Sequence, residues 1–260
     1  MLDFPEFYYY LNMMNIVKSS RRNLAKFLPF LDCSLDRDRW VVSRISEIPN
    51  GESVLDAGAG ECKYKKHCNH LVYKSQDFCE YDGTGDGVAI QTKKWDVSKI
   101  DVVSDIISMP VKDSSFDNIL CTEVFEHVPY PDKALSEFSR ILKKGGKLIL
   151  TAPFCSHTHF APYHYCDGFN LYWYQKVLTD CGFRILEYKR NGNFFEYILQ
   201  ELLRLPLVLK KYSPIGVFSI TLYIVIVPMV LIIYFLSKFS SKSEEQLCFG
   251  YHVLAEKTRG

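Results

Sequence analysis

The sequence lacks any charged residue between Lys211 and Lys238, although 23% of its residues overall are charged. It also lacks a C-x-x-C pair, and its nine cysteines follow no regular spacing. An odd number of scattered thiols favours a reducing compartment over a disulfide framework. The N-terminus (MLDFPEFYYY) has no basic stretch followed by an apolar run, so we expect no signal peptide. A net charge of +1 supplies no field for a polyanion, and we expect no nucleic-acid partner.

Length and composition indicate one core with additions. A chain of 260 residues with 48% hydrophobic content can bury a full core. We predict an N-terminal helical extension over residues 1–35, a core over 36–193, an amphipathic helix with a hydrophobic insertion over 194–243, and a final strand of the core within 244–260. The extension is interpreted most simply as packed on the core. A cap over a site or a collar at a membrane is the alternative.

A strand followed by a glycine turn organises the core. The segment Val54–Cys62 (VLDAGAGEC) brings Asp56 to the end of an apolar strand and then places Gly58 and Gly60 in a tight turn. Glycines allow bare backbone to approach a ligand. A helix predicted to begin near Glu61 and to cover residues 63–71 would direct its N-terminal N–H groups to the same place. The segment therefore predicts the floor of a nucleoside-binding site.

Strands and helices alternate through the rest of the core. Apolar runs predict further strands over residues 72–78, 102–104, 116–122, 147–152, 183–190 and 251–256. Helical periodicity predicts helices over residues 36–48, 131–142 and 171–181. This order is typical of a parallel α/β sheet with right-handed crossovers, whose ligands gather at the carboxyl ends of the strands.

The ordered motifs resemble a known family. DAGAGEC, Asp77, Asp105-Ile106, SFDNILCTEVFEHV and LKKGGKLILTAPF look like a class I S-adenosylmethionine-dependent methyltransferase of the type 11 group. The resemblance implies a Rossmann-like seven-stranded sheet with helices on both faces, a last strand that is antiparallel, and S-adenosyl-L-methionine as cofactor. A nicotinamide-dependent enzyme also uses a glycine turn, but its G-x-x-G spacing would need a glycine where Lys63 stands.

The resemblance also assigns cofactor-binding residues. It implies contacts from Asp56, Ala57, Gly58 and Gly60 to the methionine part, from Asp77 to the ribose, from Asp105 and Ile106 to the adenine, and from Thr122 and Glu123 at the methyl-donor pocket. Two departures remain. Cys62 replaces the third glycine of the usual pattern, and Glu80 or Asp82 could take the ribose role instead of Asp77.

Candidate catalytic residues follow strands four and five. Glu123 and His127 come directly after strand four, where His127 could instead have a structural role. Related enzymes carry a histidine–proline pattern after strand five, and His159-Phe-Ala-Pro-Tyr-His164 fits it. We expect His159 or His164 to act as a general base or an acceptor anchor. The loop's histidines and cysteines match no closed four-ligand spacing, so we expect no metal.

The uncharged insertion predicts contact with a membrane. Residues 212–237 form an uncharged run of 26 residues, roughly 39 Å as one helix. One crossing would separate the final strand from its sheet. Pro228 is expected to break the run into two arms, each too short to span. We therefore predict a re-entrant or monotopic hairpin on the cytoplasmic face, with residues 194–237 against lipid. A buried helical pair and a true span are the alternatives.

These inferences combine into one functional hypothesis. The chain is interpreted as a membrane-associated methyltransferase that O-methylates a saccharide, a lipid-linked glycan or a lipid-like acceptor. Its partners would be the lipid surface and a small-molecule or lipid-linked acceptor. The alternative is a catalytically idle cofactor-binding fold that serves as a membrane-bound interaction module.

Overall fold

The computed structural model describes residue 24, residues 27–214 and residues 216–258. It divides the chain into two compact units. One unit comprises Arg37–Asn191 with Phe249–Gly260, and the other comprises Met1–Asp36 with Gly192–Cys248. Most of the extension predicted over residues 1–35 lies outside the described residues.

The first unit is built on a seven-stranded sheet with the order β3-β2-β1-β4-β5-β7-β6. The strands are β1 Ser53–Ala57, β2 Val72–Asp77, β3 Val102–Val103, β4 Phe116–Thr122, β5 Leu142–Pro153, β6 Phe183–Asn191 and β7 Gly250–Lys257. The pairs from β3 to β5 are parallel, whereas β7 is antiparallel to both β5 and β6. The structure therefore confirms the seven-stranded sheet and its antiparallel last strand.

Three α-helices pack against this sheet: α1 Ser34–Ser46, α2 Pro131–Ile141 and α3 Leu171–Asp180. Alternate strand residues face opposite sides of a sheet. On one side, Trp40 and Ile45 of α1 join Val54, Leu120 and Ile149 in a buried cluster. Helix α2 contributes its own buried stripe of Leu135, Phe138 and Ile141. The core is thus layered, and the sheet edge at the carboxyl ends of β1, β2 and β4 is left to loops.

The helix predicted over residues 63–71 is wrong. Only a short 3-10 helix, Lys65–His67, forms there, and turns precede it. Cys62, in the slot of the third glycine, has a φ of +53°, which is the left-handed region that an α-helix cannot include. Among the described residues 58–67, no α-helix begins after the glycine turn.

The second unit contains α4 Phe194–Tyr212, a 3-10 helix Gly216–Leu222 and α5 Tyr223–Ser237. Its small core joins Phe30 and Leu199 to Ile226 and Val230 of α5. The predicted break at Pro228 is wrong, because Pro228 lies inside α5. A proline removes one backbone donor, and helices in apolar surroundings tolerate this. The reversal of the chain lies instead between α4 and α5.

One helix among the described residues is long and apolar enough to cross a membrane by length and composition. It covers Phe218–Ser237, 20 residues with a mean hydropathy of 2.5, and only 17% of its apolar window is buried. Large apolar side chains on it are exposed, including Phe218, Ile224, Val225, Ile232 and Phe235.

Candidate active site

The glycine turn after β1 forms one wall of a cavity. Gly58 donates its N–H to the Gln76 carbonyl at 2.9 Å, and Gly60 donates to the Asp77 carboxylate at 2.9 Å. Gly58 has a φ of +72°, and a Cβ placed on it would lie 2.5 Å from a methyl carbon of Val124. Only glycine fits this position, because a side chain would meet both backbone strain and a packed valine.

The cavity has a volume of about 440 Å³. Six of the predicted site residues line it: Gly58, Asp77, Asp105, Ile106, Glu123 and His127. The other six lie outside its lining: Asp56, Ala57, Gly60, Thr122, His159 and His164. Ala57 and Thr122 are the last residues of β1 and β4. The strand ends thus bring together residues that are far apart in sequence, as the parallel order requires.

Asp56 lies behind this cavity. Its side chain is buried and accepts a hydrogen bond from the Tyr73 hydroxyl at 2.7 Å. Burial, helped by the charge of Asp77, raises the pKa of Asp56 to about 7, and the hydrogen bond from Tyr73 opposes the shift. Asp56 therefore lies outside the cavity lining, with its carboxyl group hydrogen-bonded to Tyr73.

Asp77 holds the turn and faces the cavity. One carboxylate oxygen accepts from Gly60 N–H, and the other accepts from Cys79 N–H at 2.9 Å. Of the two alternatives, Glu80 also lines the cavity and accepts from the Tyr163 hydroxyl at 3.2 Å. Asp82 instead caps an exposed turn at Thr84. Asp77 and Glu80 are thus the two acids of this loop that reach the cavity.

An aromatic lid, missed by sequence reasoning, completes the cavity. We call the side chains of Tyr81, Trp95, Phe160 and Tyr163 the aromatic lid. Tyr81 stacks on Phe160 with ring centroids 4.9 Å apart, and Trp95 meets both rings edge-on. Backbone pairing between Ile90 and His159 ties the two loops together. The only available signal was the density of aromatics in two loops otherwise rich in glycine or histidine.

Glu123 stands at the end of β4 in a constrained conformation. Its φ is +54°, which is unusual for a residue with a Cβ. Thr151 donates its hydroxyl to one carboxylate oxygen at 2.9 Å, and Arg37 pairs with the other at 2.7 Å. Because this carboxylate is compensated by Arg37, it presents polarity to the cavity without an unpaired charge.

Three histidines and one glutamate gather beside the cavity. The His127 and His159 rings lie 4.6 Å apart, and the His159 and His164 rings lie 4.9 Å apart. Glu126, which is 1% exposed, places Oε1 3.7 Å from Nε2 of His127 and 3.8 Å from Nε2 of His159. The structure thus brings His127, His159 and His164 together and adds Glu126, which sequence reasoning did not select.

Burial and mutual charge set the protonation of this group. Burial, helped by the charges of His159 and His164, lowers the pKa of His127 to about 3. Burial also lowers the pKa of His159, but attraction by Glu126 outweighs it and raises the pKa. Burial raises the pKa of the Glu126 carboxyl. The pKa of His164 is lowered by burial and by His159, so His164 is neutral at physiological pH.

One family profile matches a segment of this chain. A family profile described as "Methyltransferase domain" matches residues 55–150. The matched segment runs from β1 into β5 and includes the glycine turn, Asp77 and the segment around Glu126.

Curated relatives match over short segments. An uncharacterised protein of Methanocaldococcus jannaschii is 45% identical over 58 residues, which is 22% of this chain and 25% of that protein. An uncharacterised protein from a Streptomyces fradiae transposon is 30% identical over 105 residues, which is 40% of this chain and 30% of that protein. The matches thus span less than a third of either relative.

Solved structures share the fold at low sequence identity. A candidate sarcosine dimethylglycine methyltransferase from Galdieria sulphuraria has a TM-score of 0.53 and 18% identity, covering 87% of this chain and 86% of that chain. A candidate methyltransferase from Bacillus halodurans has a TM-score of 0.51 and 18% identity, covering 86% and 100%. The [4+2]-cyclase SpnF has a TM-score of 0.52 and 17% identity, covering 86% and 82%. These likenesses concern the fold alone.

Proposed function

We propose that this chain, which belongs to the class I S-adenosylmethionine-dependent methyltransferases of the type 11 group, methylates an oxygen of a saccharide, a lipid-linked glycan or a lipid-like acceptor at a membrane surface. The observation that carries the proposal is the cavity at the carboxyl ends of β1, β2 and β4, which is lined by Asp77, Asp105 and His127, with His159 and His164 grouped around His127. The acids are proposed to bind the cofactor, and the histidines are proposed to act on the acceptor.

The residues at the cavity fit the family's cofactor, S-adenosyl-L-methionine, which supplies a methyl group on a sulfonium leaving group. Gly58 leaves room for a ligand against bare backbone. Asp77 offers a carboxylate that suits two adjacent hydroxyls. Asp105 and Ile106 provide a polar and an apolar edge for a base. These residues are predicted to bind and orient the cofactor, and the aromatic lid to exclude water.

The acceptor is assigned to the histidine side of the cavity. Transfer to a hydroxyl needs a group that removes its proton. His127 and His159 each engage a backbone carbonyl through Nδ1, whereas His164 Nε2 lies 3.3 Å from the Ser156 hydroxyl. We assign proton removal to His164 because its ring is free of such a carbonyl contact among the described residues. Glu123, which also lines the cavity, is held in place by Arg37 and Thr151.

The second unit supports membrane association. Most of α5 is exposed and apolar, which water does not favour. Lys210 and Lys211 end α4, and Lys238 follows α5. Basic residues at both ends suit the anionic cytoplasmic surface of a membrane.

The topology favours a monotopic hairpin over a single span. The chain leaves the sheet at the end of β6 and re-enters it as β7, which pairs with β5 and β6. Both ends of the hairpin therefore belong to the same side of any membrane. Helix α4 carries Glu201, Arg204 and two lysines, so it is unsuited to a second crossing. We place α5 shallowly in the cytoplasmic leaflet.

Anchoring gives a reason for a lipid-linked acceptor. An enzyme held at a surface meets lipid-borne molecules at a much higher effective concentration than soluble ones. Hydroxyl-bearing acceptors of this kind include saccharides on lipid carriers.

Transfer of a labelled methyl group tests the reaction. The purified chain is incubated with membranes of its source cells and cofactor carrying a labelled methyl group, and the products are separated into lipid, glycan and protein. We expect label in a lipid-extractable fraction with an alkali-stable ether. The variant Asp77→Asn should lose incorporation through weaker cofactor binding. Label found only in protein or nucleic acid would refute the acceptor class, and cofactor binding without any incorporation would support the idle fold.

Vesicle flotation tests the membrane contact independently. Vesicles of phosphatidylcholine with about a quarter phosphatidylglycerol are expected to float with the wild-type chain. The double variant Ile224→Glu, Ile232→Glu places charges on two exposed positions of α5 and should remain at the bottom of the gradient. Tyr172→Glu, also at an exposed apolar position but on α3, is the matched control and should float. Equal flotation of all three would contradict the contact through α5.

A further inference from the structure

We propose that Glu126, His127 and His159 bind one divalent metal ion beside the cavity. Each residue offers one ligand atom, and the three atoms lie within 4.8 Å of one another. Two histidines and one carboxylate are a set that holds Zn²⁺ or another divalent transition metal with coordination positions left open.

The hydrogen bonds of the two rings prepare them as ligands. Nδ1 of His127 lies 2.6 Å from the Tyr163 carbonyl, and Nδ1 of His159 lies 2.8 Å from the His157 carbonyl. A carbonyl only accepts, so each Nδ1 carries a proton, and Nε2 is the atom of each ring that is left for a metal ion once it is unprotonated. Metal-binding histidines are oriented in this way, with the far nitrogen donating to a carbonyl or carboxylate.

Nε2 of each ring faces the same carboxylate. Nε2 of His127 lies 3.7 Å from Glu126 Oε1, and Nε2 of His159 lies 3.8 Å from the same atom. An unprotonated Nε2 of His127 that faces the Glu126 carboxylate is repelled by it unless a cation or a proton lies between them. Among the described residues, Glu126 Oε2 and His127 Nε2 are buried and have no hydrogen-bond partner. Buried polar atoms of this kind call for a missing ion or proton.

The spacing suits a metal after a small contraction. Ligand atoms about 2.0–2.1 Å from a tetrahedral ion lie about 3.3–3.4 Å apart. The two distances to Glu126 Oε1 exceed this by a few tenths of an ångström, and all three ligand atoms lie within 4.8 Å of one another, so side-chain adjustment is needed to close the site. His159 is on the loop after β5, so the third ligand can approach the more fixed pair on the 3-10 helix Phe125–His127.

The ion would serve the acceptor side of the reaction. His127 lines the cavity, so an ion on its Nε2 would stand at the edge where an acceptor oxygen is expected. A metal-bound hydroxyl loses its proton more readily, and His164 is then the histidine left to receive that proton. This role rests on the proposed function, whereas the metal site itself does not.

The sequence pattern indicated different residues as candidate metal ligands. Cys155 and Cys166 flank the loop histidines, but the group that converges contains neither. It contains Glu126 instead, from the segment after β4. No spacing rule links position 126 to position 159, because the contact depends on how the later loop folds back.

Direct metal binding tests the site without any methyl acceptor. The chain is treated with a chelator, and Co²⁺ and Zn²⁺ are then titrated separately, with visible absorption and calorimetry as readouts. We expect about one ion per chain, a Co²⁺ absorption band typical of nitrogen and oxygen ligands, and a Zn²⁺-dependent rise in melting temperature. Absence of stoichiometric binding in the wild-type chain would overturn the site.

Variants separate this site from adventitious thiol binding. Glu126→Gln, His127→Ala and His159→Ala should each weaken Zn²⁺ binding at least about tenfold. His157→Ala keeps its backbone carbonyl and is the matched control, as is the double variant Cys155→Ser, Cys166→Ser. Both controls should bind like the wild type. Retained cofactor binding establishes that each variant is folded. Unchanged affinity in all three ligand variants, or loss in the cysteine variant alone, would contradict the proposal.

Discussion

Gly58 occupies a position with no room for a side chain. Its backbone has a φ of +72°, and a Cβ added there would lie 2.5 Å from Val124, so strain and steric exclusion act together. Gly87 has a similar φ of +78° but open space around it. A side chain at Gly87 would therefore meet backbone strain alone, whereas a side chain at Gly58 would meet strain and a steric clash.

Substitution at these glycines should distinguish the two effects. Gly87→Ala is expected to cost about 1–2 kcal/mol of stability from its left-handed conformation and to leave cofactor affinity unchanged. Gly58→Ala adds the clash with Val124, and we expect at least about tenfold weaker binding of S-adenosylmethionine. Calorimetry of binding and thermal melting measure the two quantities. Equal S-adenosylmethionine affinity in the two variants would show that the Val124 side chain can move aside without weakening cofactor binding.

Asp56 makes the free energy of unfolding depend on pH. The unfolded chain releases this proton near pH 3.8, whereas the folded chain holds it until the pKa of about 7. The stabilisation is therefore fully present below the unfolded pKa and is lost as the pH rises through 7. Relative to Asp56→Asn, the wild-type free energy of unfolding should fall by a few kcal/mol between about pH 4 and pH 8. Urea denaturation of both chains at several pH values measures this, and parallel pH curves would contradict it.

At the scale of elements, the two lid loops are joined by rings instead of regular structure. Trp95 lies 3.3 Å from the point where a Cβ on Gly60 would stand, and it also contacts Tyr81 and Phe160. The Gln91 side-chain amide donates to the Ala161 carbonyl at 3.1 Å. The loop after β2 thus depends on the loop after β5 for its order.

Removing one ring should loosen both loops. We expect Trp95→Ala to weaken cofactor binding about tenfold, because the aromatic contacts over the glycine turn are lost. Hydrogen exchange should accelerate at Ile90 and at Phe160, whose backbones are paired across the two loops. Lys94→Ala, an exposed neighbour, is the control. Faster exchange in the Trp95 loop alone would show that the loops are independent.

Sequence patterns predicted the elements better than their contacts. Apolar runs placed β4 at Phe116–Thr122 and the other strands within a few residues, because burial on both faces dictates such runs. The helix over 63–71 was wrong, and no composition rule reveals the left-handed φ of Cys62, which excludes an α-helix that begins near Glu61. The break at Pro228 was wrong since a proline weakens a helix without always ending it. The aromatic lid and Glu126 depend on two loops meeting, which local patterns do not encode.

At the scale of the whole molecule, β7 closes the sheet. It pairs with β5 from Lys147 to Pro153 and with β6 from Phe183 to Asn191. In the described sheet β6 has no other strand neighbour. The edge strand therefore depends entirely on a segment that follows the hydrophobic hairpin.

Shortening the chain should expose this dependence. A chain stopped before Gly250 leaves β6 without its ladder and β5 with one bare edge, so we expect loss of the protease-resistant core. A chain stopped after Lys257 retains every described strand and should resist digestion like the full chain. Limited proteolysis with mass spectrometry compares them. Equal resistance of the two chains would show that β5 is stable as an edge.

The position of β7 also orders events during synthesis. The ribosome releases residues in sequence, so α4 and α5 emerge while β6 still lacks its partner and the sheet is open. If α5 binds lipid as we propose, the apolar hairpin is available for that contact before the sheet is complete. The last strand would then complete a sheet whose hairpin has already been released, so the membrane attachment that we propose would precede the formation of a finished active site.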